Sequence, residues 1–226
     1  MFHEPRKGLS GGAPEMGLTS PALIVGGTAE TIRGRSETGG PLKGETMAEQ
    51  REGDWILTRT GIQFWPLDPR VEEIKIEDIA HALAMQCRFS GHCAHHYSVA
   101  QHSVIVSANA PAEAALWGLL HDAAEAYLVD LPRPIKRYSE LGSIYKTLEA
   151  RIMRCIAEKF NLGPEPDCLT LLDDRALMTE KRDIMPGSQK PWKETAEPFP
   201  ERIERLSPEE ARGRFLYRFH SLTMDR

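Results

Sequence analysis

An all-α bundle behind a short N-terminal β-hairpin is the fold class this sequence predicts, and three observations lead there. From Ile76 onward apolar residues return at steps of three and four, the period of a buried helix face. The stretch that alternates apolar and polar residues instead, DWILTRTGIQFWPLDP, is confined to 54–69. Proline and glycine then punctuate the helical pattern at Leu131–Pro134, Leu162–Pro164 and Pro186–Gly187.

Residues 1–53 come first. Of the 18 glycines, 11 fall there beside a single aromatic residue, Phe2. Such a segment cannot bury enough apolar surface to offset its ordering entropy, so a disordered glycine-rich tail is expected, with Met47 a candidate for the natural start. The folded domain is drawn as 54–226. Its hairpin turns around Thr60-Gly61. Ile76, Ile79, Ala80 and Leu83, behind acidic first-turn residues, mark the first helix, and Val99, His102, Ser103 and Val106 trace one face of a second. A third is expected from about Glu113 to Leu128, ended by LPRP, whose prolines cannot continue it and leave Arg133 and Lys136 in a surface loop. A long helix follows over Ser139 to Phe160 and a fifth over Cys168 to Met185. The last begins at Ser207-Pro208-Glu209-Glu210, a capping serine with proline at the first helical position.

Composition limits the function. At 226 residues, 41% hydrophobic, with a formal net charge of -5, the chain suits one soluble domain with a sizeable core. A pI near 5.9 without a basic run argues against a nucleic-acid polymer as partner, although a small basic pocket for a nucleotide is compatible with it. No stretch approaches the roughly 20 apolar residues of a membrane span, and no apolar signal core opens the chain, so no membrane association and a cytoplasmic location are expected. Cys87, Cys93, Cys155 and Cys168 show no paired spacing, which reads as reduced thiols.

One stretch carries chemistry. ALWGLLHDAAEAY, Ala115 to Tyr127, reads as a buried helix, yet it holds His121 and Asp122 side by side among Leu116, Leu119, Leu120 and Ala123. Buried ionisable groups are costly unless paired or bound to a metal, and imidazole with carboxylate is a ligand pair used by Zn²⁺, Mn²⁺, Co²⁺ or Fe²⁺. Further ligands should stand as polar residues on apolar faces of neighbouring helices. His102 does so between Val99 and Val106. On LTLLDDRALMTEKRDIM, Asp173 falls among Leu169, Leu172, Ala176 and Leu177, while Asp174 is rotated toward Lys181, so Asp173 is favoured.

The resulting order, H…HD…D, resembles the signature of HD-domain metal-dependent phosphohydrolases. HHYSVAQHS, LLHDAAEAYLVDLPRPIK and LLDDRALMTEKRDIM resemble the branch containing bacterial 5′-deoxynucleotidases and phage deoxyadenosine triphosphohydrolases, over about Trp55 to Leu222. The resemblance implies an HD-domain helical bundle in which His102, His121, Asp122 and Asp173 bind a divalent metal (Zn, Co, Mn, Fe or Mg). It gives Glu125 the place of the general acid or base, makes Asp130 the residue that orients the site, and matches Arg88 of CRFSGH to the phosphate-side arginine. It also makes a homo-oligomer the expected state, and the long helix at Ser139–Phe160 is hypothesised as the interface, an idea that a monomer in light scattering would remove. The histidine-rich insertion GHCAHH departs from the pattern.

The chemistry agrees with that reading. Glu125, one turn after His121, is placed to exchange protons in the same cavity, and Arg88, Arg133 and Lys136 are candidates to neutralise phosphate oxygens. His92 is a candidate substrate contact. Blander readings stand beside these: His102 as a core histidine, Asp130 as a turn residue, Arg88 in a surface ion pair, Tyr97, Tyr127 and Trp192 as packing rather than base-stacking residues. Cys87, His92, Cys93, His95 and His96 have no common zinc-finger spacing. Two function classes result: hydrolysis of a deoxynucleotide phosphoester, as a 5′-deoxynucleotidase or a dNTP triphosphohydrolase with dATP as one preferred substrate, and a non-catalytic module that binds and senses a nucleotide. The proton-transfer group Glu125 favours the enzyme.

Overall fold

The computed structural model describes residues 51–188, 190–193 and 195–224. The expected tail up to residue 50, Met47 included, lies outside them. Among the described residues helices dominate, with one two-stranded sheet, as the periodicity predicts. β1 (Ile56–Leu57) pairs antiparallel with β2 (Gln63–Phe64), Ile56 opposite Phe64 and Leu57 opposite Gln63. Phe64 enters the core, stacked on Tyr127 at 3.9 Å between ring centroids, while Ile56 and Leu57 stay exposed. The connecting loop is fastened to α1 (Ile76–Met85): the Asp78 carboxylate accepts from the Thr60 backbone N–H and hydroxyl, each at 2.7 Å.

Arg51 lies on the tail side of the boundary drawn at residue 53, yet it belongs to the packed body. Its guanidinium donates to Asp68 and Glu73, each at 2.6 Å, and covers the Trp65 ring at 4.2 Å.

α2 (Val99–Ala108) starts at Ser98, whose hydroxyl caps the helix by accepting from Gln101 N–H at 3.1 Å. The single helix expected over Glu113 to Leu128 is broken. α3 (Ala115–Leu120) ends one residue before His121, residues 121–124 form turns, and α4 (Glu125–Leu128) follows. Ala123, Glu125, Ala126 and Tyr127 donate to carbonyls three residues back rather than four, so the chain winds more tightly through the His-Asp pair. Apolar residues three apart fit either winding, which is why periodicity missed the break.

The surface loop expected after LPRP is also corrected. Pro132 caps, and Pro134 sits in the first turn of, a short helix α5 (Arg133–Tyr138). A proline that stops one helix is well suited to open the next, since the first turn needs no amide donor. α6 (Glu140–Lys159), capped by Ser139, α7 (Leu169–Asp183) and α8 (Pro208–Thr223), opened by a Ser207–Glu210 capping box, fall close to their expected places.

Ile79, Leu83, Leu116, Leu119, Leu120, Ile152, Ile156 and Phe215 are buried in the main core, to which α1, α3, α6 and α8 contribute. A smaller cluster of Val106, Leu169, Leu172, Ala176 and Phe199 seals α7 onto α2. No helix among the described residues is long and apolar enough to cross a membrane.

Two glycines allow the close approaches that place the site. A Cβ on Gly118 would stand 3.1 Å from Ser107 Cα, so α3 lies almost backbone to backbone on α2. A Cβ on Gly142 would overlap the Lys136 carbonyl and reach 2.7 Å from that of Ile135. Gly142→Ala is therefore expected to push α6 off α5 and destabilise the protein by about 1–3 kcal/mol, a cost typical of overpacking. Thermal unfolding followed by circular dichroism should show the melting temperature several degrees lower; an unchanged transition would mean that α5 shifts freely.

Candidate metal centre

The tightened turn after α3 brings His121 and Asp122 opposite His102 of α2, and α7 presents Asp173 from a third side. His102 Nε2 lies 3.3 Å from His121 Nε2, 3.6 Å from Asp122 Oδ2 and 3.3 Å from Asp173 Oδ1. His121 Nε2 is 3.3 Å from Asp122 Oδ2. Among the described residues, His102, His121 and Asp122 are the group of three whose ligand atoms all fall within 4.8 Å of one another.

These distances test whether a metal fits. Donors about 2.1 Å from one ion stand about 3.0–3.5 Å apart at neighbouring positions; His121 Nε2 stands 3.3 Å from both His102 Nε2 and Asp122 Oδ2, within that span, and the His102–Asp122 spacing of 3.6 Å lies just beyond it. The imidazoles are also turned correctly. His121 Nδ1 is 2.8 Å from the Gly118 carbonyl, which can only accept, so Nδ1 carries the proton and Nε2 keeps its lone pair for the centre when the ring is neutral. His102 Nδ1 is 2.7 Å from Glu180 Oε1, with the same consequence. The residues present fit a divalent ion. Asp173 stands at the margin, with Oδ1 near His102 and Oδ2 2.7 Å from Arg133, which also holds Asp174 at 2.9 Å. Of the adjacent pair, Asp173 is the one that reaches His102.

Charge is concentrated here. Burial would raise the Asp122 carboxyl, but His121, His102 and Arg88 hold it far below the usual carboxylate range. Asp173 is likewise lowered, the hydrogen bond and charge of His102 outweighing burial. Burial and the Arg88 charge oppose protonation of His102; Glu180 and Asp173 prevail and push it up to about 9. His121 is raised because Asp122 outweighs burial.

Glu125 behaves oppositely to its carboxylate neighbours. Burial lifts its carboxyl well above the ordinary value, and the charges of Asp122 and Asp130 lift it further against Lys136 and Arg88. Its Oε2 is buried and without a hydrogen-bond partner among the described residues, while Oε1 lies 3.7 Å from Lys136 Nζ. Lys136 is itself held by Glu149 at 2.5 Å. Asp130 is raised too, chiefly by burial and by Asp122 against the Arg88 charge. Gln86, at the end of α1, spaces the Glu125–Asp130 segment. Its amide donates to the Glu125 carbonyl and accepts from the Asp130 N–H, both at 2.9 Å.

Arg88 is buried and reaches site carboxylates rather than a surface partner: Asp122 at 3.6 Å and Glu180 at 3.2 Å. His92 is exposed beyond the turn at Phe89–Gly91, and no hydrogen bond or ion pair among the described residues joins its imidazole to the cluster. Cys87 and Cys93 lie 3.5 Å apart, sulfur to sulfur, and form no metal-sized group with the nearby histidines among the described residues. Tyr97 and Tyr127 are core, and Trp192 stands beside Phe89 with ring centroids 6.4 Å apart.

Sequence reasoning missed Glu180 and Gln86. Glu180 had a readable signal, since it follows Asp173 by two turns on the same buried face, past Ala176 and Leu177. Gln86 had none, because its partners are backbone groups set by the broken helix.

No family model matches the chain. Over 174 residues it is 37% identical to the uncharacterized protein YfdR of Escherichia coli (strain K12), an alignment spanning 75% of this chain and 96% of that protein. It is 36% identical over 118 residues to an uncharacterized protein of Rhodobacter capsulatus, covering 48% of this chain and 59% of the relative.

An imidazolium must lose a proton to ligate, so a metal competes with protons for His102 below about 9. Apparent affinity for Co²⁺ or Zn²⁺, followed by calorimetric titration, should therefore climb as pH rises from 6 and level off near 9. A flat profile over that range would contradict ligation by His102.

Proposed function

We propose that this chain, which belongs to the family of the uncharacterized Escherichia coli protein YfdR, hydrolyses a phosphoester of a deoxynucleotide at a divalent metal held by His102, His121, Asp122 and Asp173. The observation that carries the reading is the convergence of two oriented imidazoles and a carboxylate at 3.3–3.6 Å, beside a buried carboxyl with an unpartnered oxygen. A divalent ion held there would supply Lewis acidity, lowering the pKa of water and drawing charge from a phosphoryl oxygen.

The chain's own residues divide the remaining work. Glu125, kept protonated to higher pH by burial, holds a proton that it can give to a leaving oxygen and take back from water. Asp130 adds negative charge that keeps that proton in place. Arg88 offers a permanent cation at the edge of the cluster, suited to phosphate oxygens. Arg133 and Lys136 already engage Asp173, Asp174 and Glu149, so an arriving phosphate exchanges with carboxylates rather than meeting bare cations. His92 is left out of this assignment by its exposed position.

The substrate classes are a deoxynucleoside monophosphate, cleaved to nucleoside and phosphate, and a dNTP such as dATP, cleaved to nucleoside and triphosphate. Incubation with deoxynucleoside mono-, di- and triphosphates and Mn²⁺, Co²⁺ or Mg²⁺ in turn should release a nucleoside, and the accompanying product identifies the class. Asp122→Ala should abolish turnover. Glu125→Gln should retain metal and lose about 10²–10⁴-fold in kcat. Stoichiometric metal with nucleotide bound and no turnover under any condition would replace the hydrolase with a nucleotide sensor.

A further inference from the structure

Glu180 is fully buried, and a buried carboxylate is costly unless its oxygens are satisfied. Its two oxygens go to different partners. Oε1 is 2.7 Å from His102 Nδ1 and Oε2 is 3.2 Å from Arg88. Packing alone does not call for such a group at this place in α7, where Ala176 and Leu177 cover the same face one turn earlier.

We propose that Glu180 is a positioning residue of the metal centre: it accepts the His102 Nδ1 proton in a hydrogen bond, commits Nε2 to the ion, and couples that histidine to Arg88. The inference rests on the metal-binding reading above. The two ligating imidazoles are backed unequally, His121 by the neutral Gly118 carbonyl and His102 by a carboxylate. A carboxylate behind a ligating imidazole fixes the tautomer and makes the ring a stronger donor. His102 is thus the stronger of the two nitrogen ligands. Because α7 carries both Asp173 and Glu180, two turns apart on one face, a single helix sets the carboxylate facing the centre and the support behind its histidine.

The test uses the full chain and Co²⁺ as probe, with Glu180→Ala and Glu180→Gln compared with wild type for metal affinity and for melting temperature without metal. Glu180→Ala should weaken Co²⁺ binding about 10–100-fold, as losses behind a ligating histidine do. Glu180→Gln keeps an acceptor oxygen without the charge and should fall between the two. A role confined to folding would lower the metal-free melting temperature and leave the affinity of the folded protein unchanged, which would overturn the inference, as would equal affinities in all three proteins. The near-isosteric Gln variant carries the comparison if the Ala variant does not fold. Wild type that binds no Co²⁺ would overturn this inference and the proposed function together, whereas a wild type that binds and hydrolyses, with variants that bind equally well, would overturn this inference alone.

Discussion

Two imidazole nitrogens 3.3 Å apart, facing the carboxylates of Asp122 and Asp173, are the constraint on which the rest of the molecule depends. Each ion taken from water costs several kcal/mol unless opposite charge and hydrogen bonds repay it. The repayment here is shared by several elements: Arg88 from the loop after α1, Arg133 from α5, Glu180 from α7. The apolar cores do not create this balance. They fix the helices at separations where it closes, and the bare Cα of Gly118 is what lets α3 come near enough to α2.

Within this arrangement the carboxyl groups are driven apart. Asp122 and Asp173 are held ionised by neighbouring imidazoles and guanidinium groups, whereas Glu125, close to Asp122 in the chain, is driven toward its neutral form by burial and by the charges of Asp122 and Asp130. Divergence of this kind between neighbouring acids would let one site offer an anionic ligand and a proton carrier at the same pH, as the proposed function requires. The segment from Glu125 to Asp130 shows no charge pattern that would reveal it, because the effect arises from which side chains surround each carboxyl.

Much of the architecture was legible in the sequence. Recurrence at three and four residues marked α1 and α2, proline and glycine stops bounded α6 and α7, the capping serine at 207 marked the start of α8, and the alternating stretch marked the hairpin. His102, His121, Asp122 and Asp173, which the resemblance implies as ligands, come together in space, because a buried polar residue on an apolar helix face has few places to go. What failed was local. Winding through His121–Ala124 is invisible to a pattern that accepts both three- and four-residue steps, and LPRP read as a break when its second proline opens α5. Arg133 and Lys136, placed in a surface loop as candidates for phosphate oxygens, stand instead on α5, each bound to carboxylates on other helices. His92 was drawn toward the site by its neighbours in sequence, yet the left-handed run at Phe89, Ser90 and Gly91 ends with it exposed.

The Gln86 amide has a corollary for which sequences this fold tolerates. It must donate to one backbone carbonyl and accept from one backbone N–H at the two ends of a six-residue segment. Glutamate lacks the donor, lysine lacks the acceptor, and asparagine is one methylene short. Residue 86 is thereby narrowly restricted, since its amide acts as the ruler against which the segment from Glu125 to Asp130 is measured.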